Sequence, residues 1–317
     1  MLLAVRGTKL SMFSPKGGTT SFQIAANPRG AAWSPLGHFV LLPYEDGHVD
    51  VVSTSNGQRA GGAPAPAGYA SYMTTMGALS TDGSVMVVST DRARIIEVAT
   101  GATRCEGPAD YAAFDLRFVD NDSAVVLVTS GHYTRIDAKT CKVLDDGTSS
   151  TGGTFVTLSS PDGKWVASSA DDGHALELNA TMPFKTKAVL AHAKDCQEHI
   201  GAWFSHDGSV LLSSGGFVWV KTFEVPSMKP IADYRLDPHG TYDSVDLTDD
   251  GKHAVIRSGE KLSVIDLATK KQLCSFEEKG VSWIASSPDS KLIAVILEAS
   301  VHVRDVATCA DVATVAM

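Results

Sequence analysis

A four-residue turn recurs along the chain and constrains its fold more than any other sequence feature. Short apolar runs precede and follow each copy, and the following run is rich in β-branched and aliphatic residues, which is the pattern of an antiparallel hairpin. Four copies read Ser/Thr-x-Asp-Gly and end at Gly83, Gly163, Gly208 and Gly251. Variant copies stand at Ser34–Gly37, at 120–122 and at 287–290, so the turns are 39 to 46 residues apart.

A second signature recurs later in each unit. An acidic residue is followed by Ala-Thr or a relative of it, and the spacing is 40 residues from Glu97 to Asp137 and 39 from Asp266 to Asp305. Each unit of roughly 40 residues therefore holds four short strands with turns at fixed offsets, which is typical of a β-propeller blade. The second strands are almost continuously apolar, as expected for strands that are covered on both faces.

Composition supports a globular chain and argues against two classes of partner. The 317 residues are 44% hydrophobic, which is enough for a large core, and the net charge is −9 with scattered Lys and Arg. No basic patch for nucleic acid is evident, and we predict no nucleic-acid contact. Residues 1–7 lack the pattern of a secretory signal, and no apolar run is long enough to span a bilayer, so we predict no membrane partner.

The repeat resembles the WD40 family and its YVTN-like relatives. Ser160–Gly163 and Ser205–Gly208 match that family's first hairpin turn, and Ile265-Asp266 and Arg304-Asp305 stand where its Trp-Asp pair would be. No unit has the Trp-Asp pair itself, and the usual Gly-His is nearly absent, with Ala191-His192 its closest echo. The resemblance implies a divergent propeller whose loops dock peptides or other proteins.

We therefore predict an all-β chain in which residues 1–317 form one WD40-like β-propeller domain. Its blades are four-stranded and antiparallel, and seven or eight of them are expected. Residues 1–27 contain three apolar runs that align with strands two to four of a blade. Eight blades, with the N-terminal one incomplete, are favoured over seven.

The cysteines and one histidine cluster raise the questions of redox state and metal binding. Five cysteines are an odd number at repeat-like positions, so we predict free thiols in a reducing compartment and a cytoplasmic localisation. His192, Cys196 and His199 have a spacing that zinc accepts, and they are the weak candidates for a metal site. A polar loop between blades is the favoured interpretation, and no metal or cofactor is predicted.

Other residues that carry chemistry form no recognised catalytic motif. Glu45–His48 and Asp171–His174 are acidic turns that suit a calcium-binding rim, but tight hairpins alone account for them. No nucleophile elbow or phosphate-binding glycine loop occurs, and no histidine is paired locally with a nucleophile. We predict that the protein is not an enzyme.

The predicted function is a non-catalytic scaffold that docks other proteins or peptides on the loop face of the propeller. Family topology places the candidate contact residues on that face: Arg92, Arg94, His132, Tyr133 and Phe217. Trp33, Trp203 and Trp283 recur in first strands and are expected to pack in the core or between blades. The alternatives are a propeller enzyme with a site in the central channel, a translation-initiation-type propeller and a subunit of a larger complex.

Overall fold

A computed structural model gives the fold of the chain. It describes every residue except 1, 7, 14–18, 67–75, 91, 110–112, 114, 130–131, 149–156, 170–174, 182, 192–200, 216–218, 236–243, 288 and 317. Within these described ranges the regular structure is all β-strand, as the sequence predicts. No helix in the described part of the chain has the length and apolar character to cross a lipid bilayer.

The strands form eight antiparallel sheets in chain order. The N-terminal sheet has three strands, β1 (Leu2–Arg6), β2 (Lys9–Phe13) and β3 (Thr19–Gln23). Seven four-stranded sheets follow, and we call them blades 1 to 7. Blade 1 consists of β4 (Ala32–Trp33), β5 (Phe39–Pro43), β6 (Val49–Ser53) and β7 (Arg59–Ala63), and blade 2 of β8 (Met76–Leu79), β9 (Val85–Ser89), β10 (Arg92–Glu97) and β11 (Thr103–Ala109). Blade 3 consists of β12 (Asp115–Val119), β13 (Ala124–Val128), β14 (His132–Asp137) and β15 (Val143–Thr148), and blade 4 of β16 (Thr157–Ser159), β17 (Trp165–Ser169), β18 (Ala175–Thr181) and β19 (Phe184–Ala191). Blade 5 consists of β20 (Gly201–Phe204), β21 (Val210–Gly215), β22 (Trp219–Glu224) and β23 (Pro230–Arg235). Blade 6 consists of β24 (Ser244–Leu247), β25 (His253–Ser258), β26 (Lys261–Asp266) and β27 (Lys271–Glu277). Blade 7 consists of β28 (Val281–Ser286), β29 (Leu292–Leu297), β30 (Ser300–Asp305) and β31 (Asp311–Ala316).

The first strands of consecutive blades contact one another. These contacts join β4 to β8, β8 to β12, and so on through β24 to β28. The first strands are therefore innermost and the fourth strands form the outer edge, which is the arrangement of a propeller. The predicted four-stranded antiparallel blades are confirmed.

The three-stranded N-terminal sheet packs against blade 1. Leu10 in β2 and Phe22 in β3 pack against Val40 and Leu42 of blade 1. Equivalent contacts join third and second strands elsewhere, since Ile95 in β10 packs with Leu127 in β13. The three strands thus correspond to strands two to four of a blade.

The recurring Ser/Thr-x-Asp-Gly turn is a hydrogen-bonded device that closes the first hairpin of a blade. In blade 2 the Ser80 hydroxyl donates to Asp82 Oδ1 (2.8 Å) and accepts from the Val85 amide (3.0 Å). Gly83 has a positive φ of 72°, and an added Cβ would lie 2.2 Å from the Phe39 ring of blade 1. The turn therefore needs glycine both for its backbone conformation and for the close approach of its neighbour.

The second signature closes the third hairpin of a blade. The Asp137 carboxylate accepts hydrogen bonds from the Thr140 amide and hydroxyl, both at 2.8 Å. Asp266 with Thr269 and Asp305 with Thr308 repeat the pair, and these hydrogen bonds lower the pKa of all three carboxyls. The residue four positions after the acid has a positive φ in each case: Cys141, Lys270 and Cys309.

The hydrophobic core lies between sheets. The cluster of Val87, Ile95, Leu127 and Ile136 combines side chains from blades 2 and 3, and all four are fully buried. Similar clusters join blades 1 and 2, 4 and 5, 5 and 6, and 6 and 7. Because both faces of a blade are apolar, each sheet needs neighbours to bury it.

Two disulfide bonds link consecutive blades, so the prediction of free thiols was wrong for four of the five cysteines. Cys105 in β11 is bonded to Cys141 in the third hairpin turn of blade 3. Cys274 in β27 is bonded to Cys309 in the same turn of blade 7. The Cα atoms are 5.7 Å apart in both pairs, which is an ordinary separation for a disulfide. The pairing was not evident from the sequence because the two cysteines of each disulfide are 36 and 35 residues apart and lie in consecutive repeats.

Asp246, on an innermost strand, has a carboxyl pKa well above its ordinary value. Desolvation by burial raises the pKa of Asp246, in β24, to about 6. The folded protein then binds a proton more tightly at this carboxyl than the unfolded chain does. Burial of the ionised carboxylate therefore lowers stability at neutral pH.

Thiol titration will test the two disulfides. Unfolded, unreduced protein is expected to show at most one reactive thiol per chain, because four of the five cysteines are bonded. Replacement of both Cys274 and Cys309 by serine should lower the free energy of unfolding by about 2 to 4 kcal/mol. Five thiols without reductant would contradict the pairing.

The Asp246→Asn variant will test the burial of that carboxyl. The pKa of Asp246 is raised in the folded wild-type protein. The loss of stability from burying its ionised carboxylate is therefore absent below the unfolded pKa, grows between about pH 4 and 6, and is complete above the folded pKa. The variant should be more stable than wild type at pH 8, by at most about 3 kcal/mol, and equally stable at pH 4. Asp305→Asn is the control of opposite sign, because hydrogen bonds lower its pKa and its loss should destabilise at pH 8. No difference between Asp246→Asn and wild type at pH 8 would contradict the assignment.

Candidate functional site

The two ends of the blades differ in what they display. Antiparallel strand order places the second-to-third turns and the connections between blades on one end, which we call the connection face. The first and third hairpin turns, which carry the two signatures, lie on the other end, the turn face. Of the predicted partner-binding residues, the four that the structure describes, Arg92, Arg94, His132 and Tyr133, lie in the first halves of β10 and β14, toward the connection face.

Arg92 and Arg94 form an ionic cluster on the connection face. Both extend from β10 to Glu106 on β11, at 3.3 Å from Arg92 Nη1 and 3.2 Å from Arg94 Nε. Arg94 Nη1 also donates to the Thr90 hydroxyl at 2.9 Å. The Arg92 side chain is 35% exposed and that of Arg94 16% exposed, so Arg92 is the more accessible of the two. The structure thus brings two of the predicted residues together.

His132 and Tyr133 are neighbours in sequence but have different environments. His132 is half-buried at the start of β14, and its Nδ1 lies 3.2 Å from the Thr148 hydroxyl oxygen. Tyr133 is only 1% exposed, donates its hydroxyl hydrogen to the Thr181 carbonyl (3.1 Å) and stacks on Phe184 of blade 4. Its prediction as an exposed partner contact was therefore wrong. Burial also raises the pKa of the Tyr133 hydroxyl.

Several predicted positions lie outside the described residues. These are the partner residue Phe217, the candidate metal ligands His192, Cys196 and His199, and the acidic turn 171–174. In the other acidic turn, the Asp46 carboxylate is engaged by His48 of the same turn, and Glu45 pairs with Arg29 at 3.2 Å. No group of three metal-ligating side chains occurs within the described ranges.

A groove on the turn face between blades 2 and 3 is also charged. Glu97, Arg104, Asp122, Asp137 and Lys139 contribute to its lining. Arg104 Nε donates to Glu97 at 3.0 Å, and the Asp122 carboxylate accepts from the Thr81 amide of blade 2 at 2.8 Å. The Asp122 contact joins blades 2 and 3, whereas the Arg104–Glu97 pair lies within blade 2.

The tryptophans divide between packing and exposure. Trp33 and Trp203 pack against core clusters between sheets, as predicted. Trp283, on the innermost strand of blade 7, is 67% exposed, so the packing prediction was wrong for this residue. An exposed indole on an innermost strand is available to a ligand or partner.

A polar cluster between blades 6 and 7 is not part of any recognised sequence motif. His302 Nδ1 lies 2.8 Å from Glu278 Oε2, and Arg304 Nη2 lies 3.2 Å from the same oxygen. His302 Nε2 lies 3.2 Å from the Ser300 hydroxyl oxygen. One histidine is therefore within hydrogen-bond distance of a serine hydroxyl on the same strand. Ser300 and His302 are two residues apart on one strand, and that spacing was the available signal.

Comparison with known proteins reveals fold similarity at low sequence identity. No family model and no curated protein sequence matches this chain. Dihydro-heme d1 dehydrogenase NirN in complex with DHE is 14% identical with a TM-score of 0.72, and the match covers 98% of this chain and 71% of that one. The C-terminal WD40 domain of Sif2 is 13% identical (TM-score 0.68; 98% and 89% covered), and a eukaryotic initiation factor is 14% identical (TM-score 0.64; 98% and 85% covered). The β-propeller fold expected from the resemblance to WD40 propellers is thus confirmed, and the chain shares that fold with these structures.

Proposed function

We propose that the protein is a docking platform for other proteins or peptides, and that docking requires no catalysis by the platform. The observation that carries the proposal is the Arg92–Arg94–Glu106 cluster on the connection face of a rigid ring. Partially exposed arginines held by a neighbouring carboxylate are pre-oriented, so their side chains lose little conformational entropy when a partner binds. Arginine is also enriched among residues that dominate interface energies.

The comparisons support the proposal only through the fold. The WD40 domain of Sif2 and the initiation factor share the propeller architecture, but their partners are not transferred to this chain at 13% and 14% identity. Membership of a larger complex is included in the proposal, because a ring with two displayed faces can hold more than one partner. We propose no nucleic-acid or membrane contact.

The cytoplasmic localisation stays a prediction, and the disulfides argue against it. Its support was the expectation of free thiols, whereas two disulfides link blades 2 and 3 and blades 6 and 7. Disulfides persist mainly in oxidising compartments. A partner search should therefore include extracts that are prepared without reductant.

Paired arginine variants will test the docking face. The full chain is used as bait in native extract, and one captured protein is purified so that direct binding can be measured. Arg92→Ala combined with Arg94→Ala should weaken that binding about tenfold or more, because the loss of two interface arginines costs more than 1.4 kcal/mol. The melting temperature should change little, since the cluster is partly exposed.

Arg104→Ala is the matched control for this experiment. Arg104 also pairs with a glutamate and is 32% exposed, but it lies on the turn face. Its loss should leave binding unchanged. Equal binding by wild type and the Arg92/Arg94 variant would refute docking at this cluster, and a loss with Arg104→Ala alone would place the contact on the other face.

A further inference from the structure

Three side chains between blades 6 and 7 are connected in the order serine, histidine, glutamate. Ser300 begins β30, His302 follows two residues later, and Glu278 lies in the connection between β27 and β28. The Ser300 hydroxyl oxygen is 3.2 Å from His302 Nε2, and Glu278 Oε2 is 2.8 Å from His302 Nδ1. The two contacts use different nitrogens of the His302 imidazole, so the histidine bridges the hydroxyl and the carboxylate.

The carboxylate fixes the protonation pattern of the imidazole. An ionised Glu278 only accepts hydrogen bonds, so Nδ1 of a neutral His302 carries the hydrogen that is donated to it. Nε2 is then the unprotonated nitrogen and accepts the hydrogen of the Ser300 hydroxyl. This is the arrangement in which a histidine acts as a general base toward a serine.

Neighbouring contacts hold the acid and the base in place. Arg304 Nη2 pairs with Glu278 (3.2 Å), Arg304 Nη1 donates to the Cys309 carbonyl (3.1 Å), and the guanidinium lies over the Phe276 ring at 4.1 Å. The Cys274–Cys309 disulfide joins β27, which directly precedes Glu278, to the turn after β30, the strand that carries His302 and Arg304. Glu278 and His302 are 15% and 21% exposed, which limits their rearrangement. The constellation therefore rests on rigid elements.

The serine is accessible from the connection face. Ser300 is half-buried and directly follows the exposed residues Glu298 and Ala299. The partial exposure of Ser300 and the exposure of the two residues before it leave the start of β30 open to an acyl group that approaches from the connection face.

We propose that Ser300, His302 and Glu278 form an acyl-transfer site that hydrolyses small, surface-accessible esters. Ser300 Oγ forms a bond to the ester carbonyl carbon, and its proton moves to His302 Nε2. The tetrahedral intermediate expels the alkoxide, which takes that proton and leaves as the alcohol. Water then adds to the acyl-serine, His302 accepts and returns a proton, and the carboxylic acid departs from a regenerated Ser300. Glu278 is a positioning residue that orients the imidazole.

This activity is independent of the docking proposal, because the site lies between blades 6 and 7 and the arginine cluster lies on blade 2. If it is present, the expectation that the protein is not an enzyme is wrong. A cluster that only stabilises the contact between blades would have no reactive serine. Covalent labelling distinguishes these two cases.

A fluorophosphonate probe will test Ser300 as a nucleophile. The oxidised 317-residue chain is incubated with the probe and analysed by intact mass and peptide mapping, with a known serine esterase as a positive control. One adduct on Ser300 is expected. His302→Gln should lower the maximal labelling rate by about 100-fold or more without changing the probe concentration for half-maximal rate, because it removes a general base. Glu278→Gln should lower the same maximal rate.

Ser282→Ala is the matched control, since Ser282 lies in the same blade and its hydroxyl donates to the Ile296 carbonyl. It should label like wild type. The second measurement compares wild type with Ser300→Ala in hydrolysis of p-nitrophenyl acetate, and it does not depend on folding of the His302 and Glu278 variants. Faster hydrolysis by wild type supports the proposal. No adduct under conditions that label the esterase, an adduct on another residue, labelling unaffected by His302→Gln in a folded variant, or equal hydrolysis by Ser300→Ala would overturn it.

Discussion

The structure depends on the burial of sheets that are apolar on both faces. Val87 and Ile95 of blade 2 are covered by Leu127 and Ile136 of blade 3, and the same relation is repeated between the other blades that share a core cluster. A sheet of four short strands cannot bury both of its faces alone. The connection face and the turn face are therefore positioned by packing between blades, and the side chains discussed above are held by that packing.

The third hairpin turn takes part in the contacts between consecutive blades. The residue four positions after the turn's acid has a positive φ at Cys141, Met228, Lys270 and Cys309. Met228 is buried in the core cluster of blades 4 and 5, whereas Cys141 and Cys309 form disulfides with Cys105 and Cys274 on the fourth strand of the preceding blade, and Lys270 is exposed. The chain thus uses one structural position for apolar packing in one blade and for covalent linkage in two others.

Local features were predictable from the sequence, and contacts between blades were not. The Asp-Gly and Asp-x-x-Thr turns have their own hydrogen bonds, so residues such as Ser80 and Asp137 reveal hairpins without knowledge of the rest of the fold. Tyr133 was misjudged because neighbouring residues in a strand face opposite sides, and the sequence alone did not indicate which side blade 4 covers. Glu278 reaches His302 from the connection between blades 6 and 7, 24 residues away in the sequence, and the cysteine partners are 36 and 35 residues apart. Such pairs follow only from the strand register of two adjacent sheets.

The most direct test of this account is an equilibrium unfolding experiment on the oxidised protein in urea, followed by far-UV circular dichroism and by tryptophan fluorescence. The five tryptophans are distributed from Trp33 in blade 1 to Trp283 in blade 7, so fluorescence reports on distant sheets, and circular dichroism reports on all strands. If each blade depends on its neighbours for burial, the two signals will change together in one transition. Two separated transitions would show that part of the chain folds without the rest and would contradict the central claim.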